Sequence, residues 1–294
     1  MNRYVIKTKQ LASSGEILGR KPSTENIPEL KRGLEECLVQ QPNDKNKRTL
    51  DDKAYTVSCE FVKEGDEIEP NSTCMYKNVN LSFPSVGRQS LQWRKIVKNN
   101  LDIEYTLLLQ SDVASSLLQV FEEELDYFTG DLAKVRIFGK WHDVPRKQAT
   151  YGDPGTTYKY SGVVRPARPW PRPLEALRDL IGKVTGYEYN FVLVNRYKDG
   201  SDKMGEHKDD EKDLDPRIPI ASVSLGQARD FYFRHQDARP PKKLNIEKVQ
   251  LHLQHGSLLL MNPPTNQFWY HALPPRKSAS GVRINLTFRK IIQK

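Results

Sequence analysis

The three cysteines, Cys37, Cys59 and Cys74, lie in the first quarter of the chain at no spacing typical of a metal site, so a metal ion in the rest of the chain needs histidines and carboxylates. The histidines are few: six, at positions 142, 207, 235, 252, 255 and 271. His207 and Asp209 are two positions apart, so both side chains leave the same face of an extended segment and can reach one ion. One further histidine would complete a two-histidine, one-carboxylate set, which leaves coordination positions on iron(II) for a bidentate oxoacid and dioxygen. The spacing therefore predicts a non-haem iron site.

A second His-x-Asp pair, His235 and Asp237, competes for this role. It ends an aromatic run and continues into the basic, proline-containing segment Arg239–Lys243. Its aspartate is 34 positions from His271, against 62 for the first pair, and the shorter interval leaves too little chain for the strands of a jelly-roll. We therefore assign the metal to the first pair. A lone His-x-Asp also arises by chance, so the alternative that the first histidine is a solvated member of an acidic run stays open.

The run from Val282 to Arg289 alternates strictly between apolar and polar residues, which predicts a strand with one face in the core. Its polar face carries Arg283, Asn285, Thr287 and Arg289. A surface strand could show the same alternation. Because arginine binds carboxylates through two parallel hydrogen bonds, the two guanidiniums also suit a barrel wall that faces a dicarboxylate.

Two helices are expected before the barrel. Apolar residues at helical spacing over 113–128 follow Asp112, a candidate N-cap. A second apolar stripe follows Pro173 and stops at Gly186, the residue type that commonly ends helices. Between them, residues 138–170 are rich in glycine, proline and aromatic side chains, which indicates short strands and loops.

After the second helix the chain consists of short β-branched and aromatic runs separated by turns. Such a series of short strands without a long helix predicts an antiparallel sandwich or barrel. The fold class is therefore mainly β with flanking helices (α+β). The expected strands are Tyr189–Tyr197, Ile220–Leu225, Phe231–Arg234, Val249–Leu253, Ser257–Met261 and Val282–Ile291.

The overall charge is basic: 46 Lys and Arg against 37 Asp and Glu give +9 and a pI near 9.3. This favours an anionic partner, either nucleic acid or an acidic membrane surface. No run approaches the ~20 apolar residues of a membrane span, and residues 1–10 lack the apolar core of a secretory signal. We therefore expect an intracellular protein without a membrane segment. Residues 1–95 show no sustained periodicity, which predicts a largely disordered tail before a folded domain over 96–294.

The metal and arginine motifs, taken with longer stretches around them, resemble the AlkB-type 2-oxoglutarate dioxygenases. The likeness runs from about residue 105 to residue 290. Within the family it is most similar to the animal enzymes that dealkylate duplex DNA. The longer stretches that carry it are Phe138–His142, Pro145–Gln148, Asn195–Gly200 and Gly205–Glu211.

The resemblance implies a double-stranded β-helix, or jelly-roll, in which His207, Asp209 and His271 are the catalytic iron(II) ligands. The cosubstrates it implies are 2-oxoglutarate and O2. It implies oxidative demethylation of 1-methyladenine, 3-methylcytosine and etheno adducts in double-stranded DNA, with release of formaldehyde, succinate and CO2. The residues that would hold 2-oxoglutarate are Asn195, Tyr197, Arg283, Asn285, Thr287 and Arg289.

For the damaged base, the resemblance implies a stacking slot made by Tyr158, Tyr160 and the first iron-binding histidine, with Lys159 alongside. Asp210 would accept a hydrogen bond from an exocyclic amine. Two positions depart from the family pattern. Tyr160 stands where a phenylalanine is expected, and Ser278 stands where a third basic residue is expected.

A base inside a duplex must be rotated out before an enzyme can reach it. The apolar tip at Phe138 and Gly139, next to Lys140, has the composition of a wedge that fills the resulting gap; a core phenylalanine is the alternative. It lies in an expected nucleotide-recognition lid over residues 130–172. The basic residues expected to contact the DNA backbone are Arg146, Arg234, Arg239, Lys242, Lys243, Arg276 and Lys277.

At the N-terminus, Arg3–Lys7 has the basic-aromatic-aliphatic-aliphatic-basic form of a short sliding-clamp-binding motif, and a docking peptide of this kind works from a disordered tail. We expect a nuclear monomer. Two alternatives remain: an RNA demethylase or protein hydroxylase of the same chemistry, and a non-catalytic DNA-binding module.

Overall fold

The computed structural model describes residues 55–57, 81–83, 86–137, 140–160 and 163–292. Three sequence-based predictions lie outside these residues: the clamp-binding motif Arg3–Lys7, the wedge residues Phe138 and Gly139, and the side chain of Tyr160. They stay predictions.

Short antiparallel strands make up most of the structure. The helices are α1 (Ser111–Glu124), α2 (Arg172–Thr185) and the short α3 (Thr265–Phe268). The strands are β1 (Tyr55–Val57), β2 (Leu81–Phe83), β3 (Arg94–Lys98), β4 (Leu101–Leu107), β5 (Lys134–Ile137), β6 (Lys140–Asp143), β7 (Lys147–Gly152), β8 (Thr157–Tyr160), β9 (Val163–Pro166), β10 (Phe191–Tyr197), β11 (Met204–His207), β12 (Ile220–Gly226), β13 (Arg229–His235), β14 (Val249–Leu253), β15 (Ser257–Met261), β16 (Trp269–Leu273) and β17 (Arg283–Arg289).

Two sheets form the barrel. The larger has seven strands in the order β3-β4-β15-β12-β17-β10-β7, and the smaller has four in the order β11-β16-β13-β14. A shared apolar cluster joins them: Leu101 and Leu259 of the large sheet pack with Phe233 and Trp269 of the small one. This is the mainly β, jelly-roll architecture with flanking helices that was expected.

The helices cover the outer face of the large sheet. Leu117 of α1 and Leu177 of α2 are fully buried in the core cluster that also contains Leu286 of β17. Helix α2 ends as predicted at Gly186, whose φ of 78° is left-handed. No helix among the described residues is long and apolar enough to span a membrane.

The predicted N-cap of α1 is wrong. The helix begins at Ser111 after Gln110, and Asp112 lies inside the first turn. A carboxylate there still favours the helix, because it faces the positive end of the helix dipole.

The expected lid over residues 130–172 contains two separate hairpins, β5–β6 and β8–β9, on either side of β7, which pairs with β10 in the large sheet. The expected start of the folded domain at residue 96 falls inside β3, and Phe83 belongs to the core. The division of the chain into tail and domain therefore stays a prediction.

Candidate active site

Strand pairing brings the predicted metal ligands together. In the register of β11 and β16, His207 lies directly opposite His271, and their ring centroids are 4.2 Å apart. Asp209 follows β11 by two residues and is 5% exposed. Its carboxylate oxygens lie 3.6 Å from Nε2 of His207 and 3.9 Å from Nε2 of His271. The candidate ligand atoms of the three residues are all within 4.8 Å of one another.

The surroundings favour the charge states that a metal needs. Burial lowers the pKa of His271 to about 3, so its imidazole is neutral. Nδ1 of His207 lies 2.9 Å from the Gly205 carbonyl; if Nδ1 donates there, the lone pair of Nε2 faces the site. Burial by itself would raise the pKa of Asp209, but the positive charge of the adjacent Arg289 acts against it, and that pKa lies far below its usual range. Imidazole nitrogens and an ionised carboxylate are suitable ligands for iron(II).

The polar face of β17 lines a cavity between the two sheets. In the register of the large sheet, Tyr197 lies opposite Arg283 and Asn195 lies opposite Asn285. The apolar face of the same strand is buried beneath the helices. The cavity is lined by all nine residues predicted for iron and 2-oxoglutarate, namely Asn195, Tyr197, His207, Asp209, His271, Arg283, Asn285, Thr287 and Arg289.

The two guanidiniums of this cavity have hydrogen-bond donors to spare. Arg283 donates from Nη2 to Oγ of Ser224 at 3.0 Å, and Arg289 contacts Asp209 from Nη2 at 2.9 Å. Among the described residues, Nε of Arg283 and both Nε and Nη1 of Arg289 are buried without a partner. Burial lowers the pKa of Arg283 to about 10, so the group remains charged at neutral pH. Unpaired buried donors are costly, and a dicarboxylate would satisfy them. The residues thus fit 2-oxoglutarate next to an iron ion.

Comparison with known proteins agrees with this geometry. The model of the 2OG-Fe(II) oxygenase superfamily matches residues 109–289. This chain belongs to the 2OG-Fe(II) oxygenase superfamily. Iron(II) and 2-oxoglutarate, with O2, are accordingly its cofactor and cosubstrates, as the sequence predicted.

Animal relatives match most of the folded part. A mouse protein named DNA oxidative demethylase ALKBH2 is 55% identical over 205 residues, which cover 69% of this chain and 86% of the relative. The bovine protein of the same name is 52% identical over 221 residues, covering 74% and 79%. A rat protein named alpha-ketoglutarate-dependent dioxygenase alkB homolog 3 is 37% identical over 153 residues, covering half of each chain.

Two serines that were not predicted from the sequence support the side chains predicted to hold 2-oxoglutarate. The Asn285 amide donates to Oγ of Ser222 at 2.8 Å, and Ser224 accepts from Arg283. Both serines alternate with the buried Ala221 and Val223 along β12. The same period-two pattern that identified β17 could therefore have found them.

Arg146, predicted to contact DNA phosphates, also contacts a residue of the cavity wall. Its Nε donates to Oδ1 of Asn195 at 2.7 Å, and Gln148 donates to the same oxygen at 3.0 Å. Asn195 is therefore oriented by two donors from the segment at the start of β7. A phosphate contact by Arg146 stays a prediction.

Tyr158 lies deep beside the iron site. It is 3% exposed, its hydroxyl donates to the carboxylate of Glu211, and the Arg289 guanidinium lies 5.2 Å from its ring centroid. Burial, and after it the negative charge of Asp209, raises the pKa of the Glu211 carboxyl. Glu211 was missed because it looks like one member of a solvated acidic run. Lys159 and Asp210 are exposed, and the stacking slot stays a prediction.

The second His-x-Asp pair forms a capped turn. His235 is buried, and its Nδ1 accepts a hydrogen bond from the backbone N–H of Asp237 at 3.1 Å. Its ring centroid lies 5.1 Å from that of Trp269. The Asp237 carboxylate pairs with Lys242 at 3.0 Å. The side chains of this second pair therefore make contacts that stabilise the local turn.

Several basic residues predicted to contact DNA have acidic partners. Arg234 and Arg239 both approach Glu206, at 3.5 and 3.4 Å, and Arg276 approaches Asp230 at 3.4 Å. Lys243 and Lys277 are exposed. Their DNA contacts stay predictions.

Proposed function

We propose that this oxygenase removes small alkyl groups from bases in double-stranded DNA, with 1-methyladenine, 3-methylcytosine and etheno adducts as substrates. The main support for this chemistry is that one cavity contains three candidate metal ligands and two arginines with unpaired hydrogen-bond donors. The mouse and bovine relatives named DNA oxidative demethylase support the substrate class.

In this proposal His207, Asp209 and His271 hold iron(II), while Arg283 and Arg289 hold the carboxylates of 2-oxoglutarate. When bound, iron(II), 2-oxoglutarate and O2 supply the oxidising power to hydroxylate the alkyl group, with formation of succinate and CO2. On a methylated base, the hydroxylated carbon on the ring nitrogen then leaves as formaldehyde. The protein binds and orients the groups and excludes water from a buried cavity.

The test is formaldehyde and succinate production from duplex DNA that carries one methylated base, with and without iron(II). We expect both products in equal amounts only with iron. Turnover on RNA or on a protein with none on DNA would favour another substrate of the same chemistry. DNA binding without turnover on any substrate would indicate a non-catalytic module.

We propose further that Phe138 is the wedge that replaces the extruded base. Stacking on an aromatic ring is worth ~1–3 kcal/mol per base, so Phe138→Ala should lower the rate on duplex DNA by roughly ten- to a hundredfold. Single strands need no replacement and should be spared. Equal losses on both substrates, with a lower melting temperature, would identify a core phenylalanine instead.

We also propose that the protein is a nuclear monomer that docks on the replication sliding clamp through Arg3–Lys7. Deletion of residues 1–10 should leave the activity of the purified enzyme unchanged and reduce its co-localisation with replication sites. Loss of purified activity would point to a structural role for this segment. Sedimentation of the purified chain tests the monomer.

A further inference from the structure

Hairpins β5–β6 and β8–β9 lie outside both barrel sheets and are not joined to each other by a strand ladder. The first starts at the pair Lys134 and Asp143, and the second pairs Tyr158 with Arg165. Contacts other than strand pairing must therefore fix the position of one hairpin relative to the other.

Arg165 supplies such a contact. It is 1% exposed, and it donates from Nε to the Leu132 carbonyl and from Nη2 to the Lys134 carbonyl, both at 3.0 Å. These carbonyls lie where a short 3-10 helix, Gly130–Ala133, turns into β5. Because a guanidinium is a rigid fork of donors, two bonds to this corner fix the start of β5 against β9.

The same arginine lies next to the residues around the iron site. Directly opposite residues of an antiparallel pair share one face, so Arg165 and Tyr158 lie side by side. The Tyr158 ring contacts the Arg289 guanidinium, which in turn binds Asp209. A continuous chain of contacts thus runs from the base of β5 to an iron ligand.

We propose that Arg165 is a positioning residue that couples hairpin β5–β6 to the base-binding hairpin β8–β9, so that engagement of duplex DNA by the first sets the position of the extruded base at the second. This inference rests on the proposed function. It predicts a role on duplex DNA and little role on single strands, where no base has to be extruded.

The test compares Arg165→Leu and Arg165→Lys with the matched control Arg168→Leu. Arg168 lies three residues further on, and its guanidinium binds the Asp126 carbonyl and covers the Phe128 ring. Single-turnover formaldehyde release is measured on methylated duplex and single-stranded DNA of one sequence. We expect Arg165→Leu to lower the duplex rate about tenfold more than the single-strand rate. Arg165→Lys keeps the charge but not the forked pair of donors, so its ratio of duplex to single-strand rate should lie between those of Arg165→Leu and the wild type. Arg168→Leu should keep the wild-type ratio.

Hydrogen exchange without DNA gives an independent readout. Arg165→Leu should speed exchange of the amides at 134–137 while the melting transition remains cooperative. Three results would overturn the coupling. The first is unchanged exchange of the amides at 134–137 in Arg165→Leu. The others are faster exchange with an unchanged ratio of duplex to single-strand rates, and equal losses of rate on both substrates. A wild-type enzyme inactive on DNA would instead refute the proposed function, and the exchange experiment would still report whether Arg165 fixes β5.

Discussion

The histidines of the two His-x-Asp pairs lie in the same four-stranded sheet but in different surroundings. Strands β11, with His207, and β13, with His235, are the two neighbours of β16. His207 faces His271 across the strand pair, whereas His235 lies opposite Trp269 and caps a turn. The motif is identical, so the difference comes from what each strand places opposite the histidine.

The aspartates differ as much as the histidines. Asp209 is buried against Arg289 at 2.9 Å, which offsets the cost of burying its charge. Asp237 pairs with Lys242, whose side chain is 61% exposed. A buried carboxylate held ionised is suited to a metal, whereas an ion pair near the surface contributes little beyond local order.

The largest expected effect comes from breaking the first pair. His207→Ala removes a metal ligand and should reduce turnover by more than a hundredfold, because loss of groups that only support metal ligands already costs about 10–100-fold. Iron(II) titration and formaldehyde release measure it. Loss of iron binding in His235→Ala, with iron binding retained in His207→Ala, would show that the pairs have been assigned the wrong way round.

The next effect concerns the cosubstrate. Lysine keeps the charge of Arg283 or Arg289 but loses the fork geometry, so either replacement should weaken apparent 2-oxoglutarate binding by about tenfold or more. The control is Arg196→Lys, because Arg196 makes a two-bond contact with Glu122 at 2.6 Å outside this cavity. Unchanged 2-oxoglutarate affinity in both Arg283→Lys and Arg289→Lys would refute the assignment.

Local patterns predicted much of the fold and the iron site. The alternation from Arg283 to Arg289 identified a strand and its cavity face, because the period of two is a property of the strand itself. The apolar stripe before Gly186 identified α2 for the same local reason. Strand β4 shows a comparable alternation from Leu101 to Leu107 and could have been found in this way.

What depends on long-range pairing could not be predicted from spacing. The link from Arg165 to two carbonyls more than thirty positions earlier exists only once two hairpins meet. The contact of Tyr158 with Glu211 likewise joins segments that are far apart in sequence. Strand β16, Trp269–Leu273, was missed because its sequence does not alternate between apolar and polar residues.

The second pair should affect stability rather than chemistry. His235→Ala removes a buried ring that packs on Trp269 and the acceptor for the Asp237 amide, and should lower the free energy of unfolding by about 2–4 kcal/mol. Urea denaturation measures this loss. The folded variant should retain iron binding and its rate per active site; a loss of both with normal stability would contradict the comparison.

The smallest effect is a pH dependence. Burial lowers the pKa of His235 below its ordinary value of 6.5, so the unfolded chain binds this proton more readily than the folded protein. The stability that the neutral ring contributes is present above about pH 6.5 and is lost as the pH falls below it. His235→Asn keeps an acceptor for the capped amide and removes the titration. Between pH 7 and pH 5 its free energy of unfolding should therefore fall less than that of the wild type; other titrating groups are common to both proteins and cancel. If the free energy of unfolding changed with pH in the same way in both proteins, His235 would bind its proton equally in the folded and unfolded states. The description of His235 as a buried, neutral cap would then be wrong.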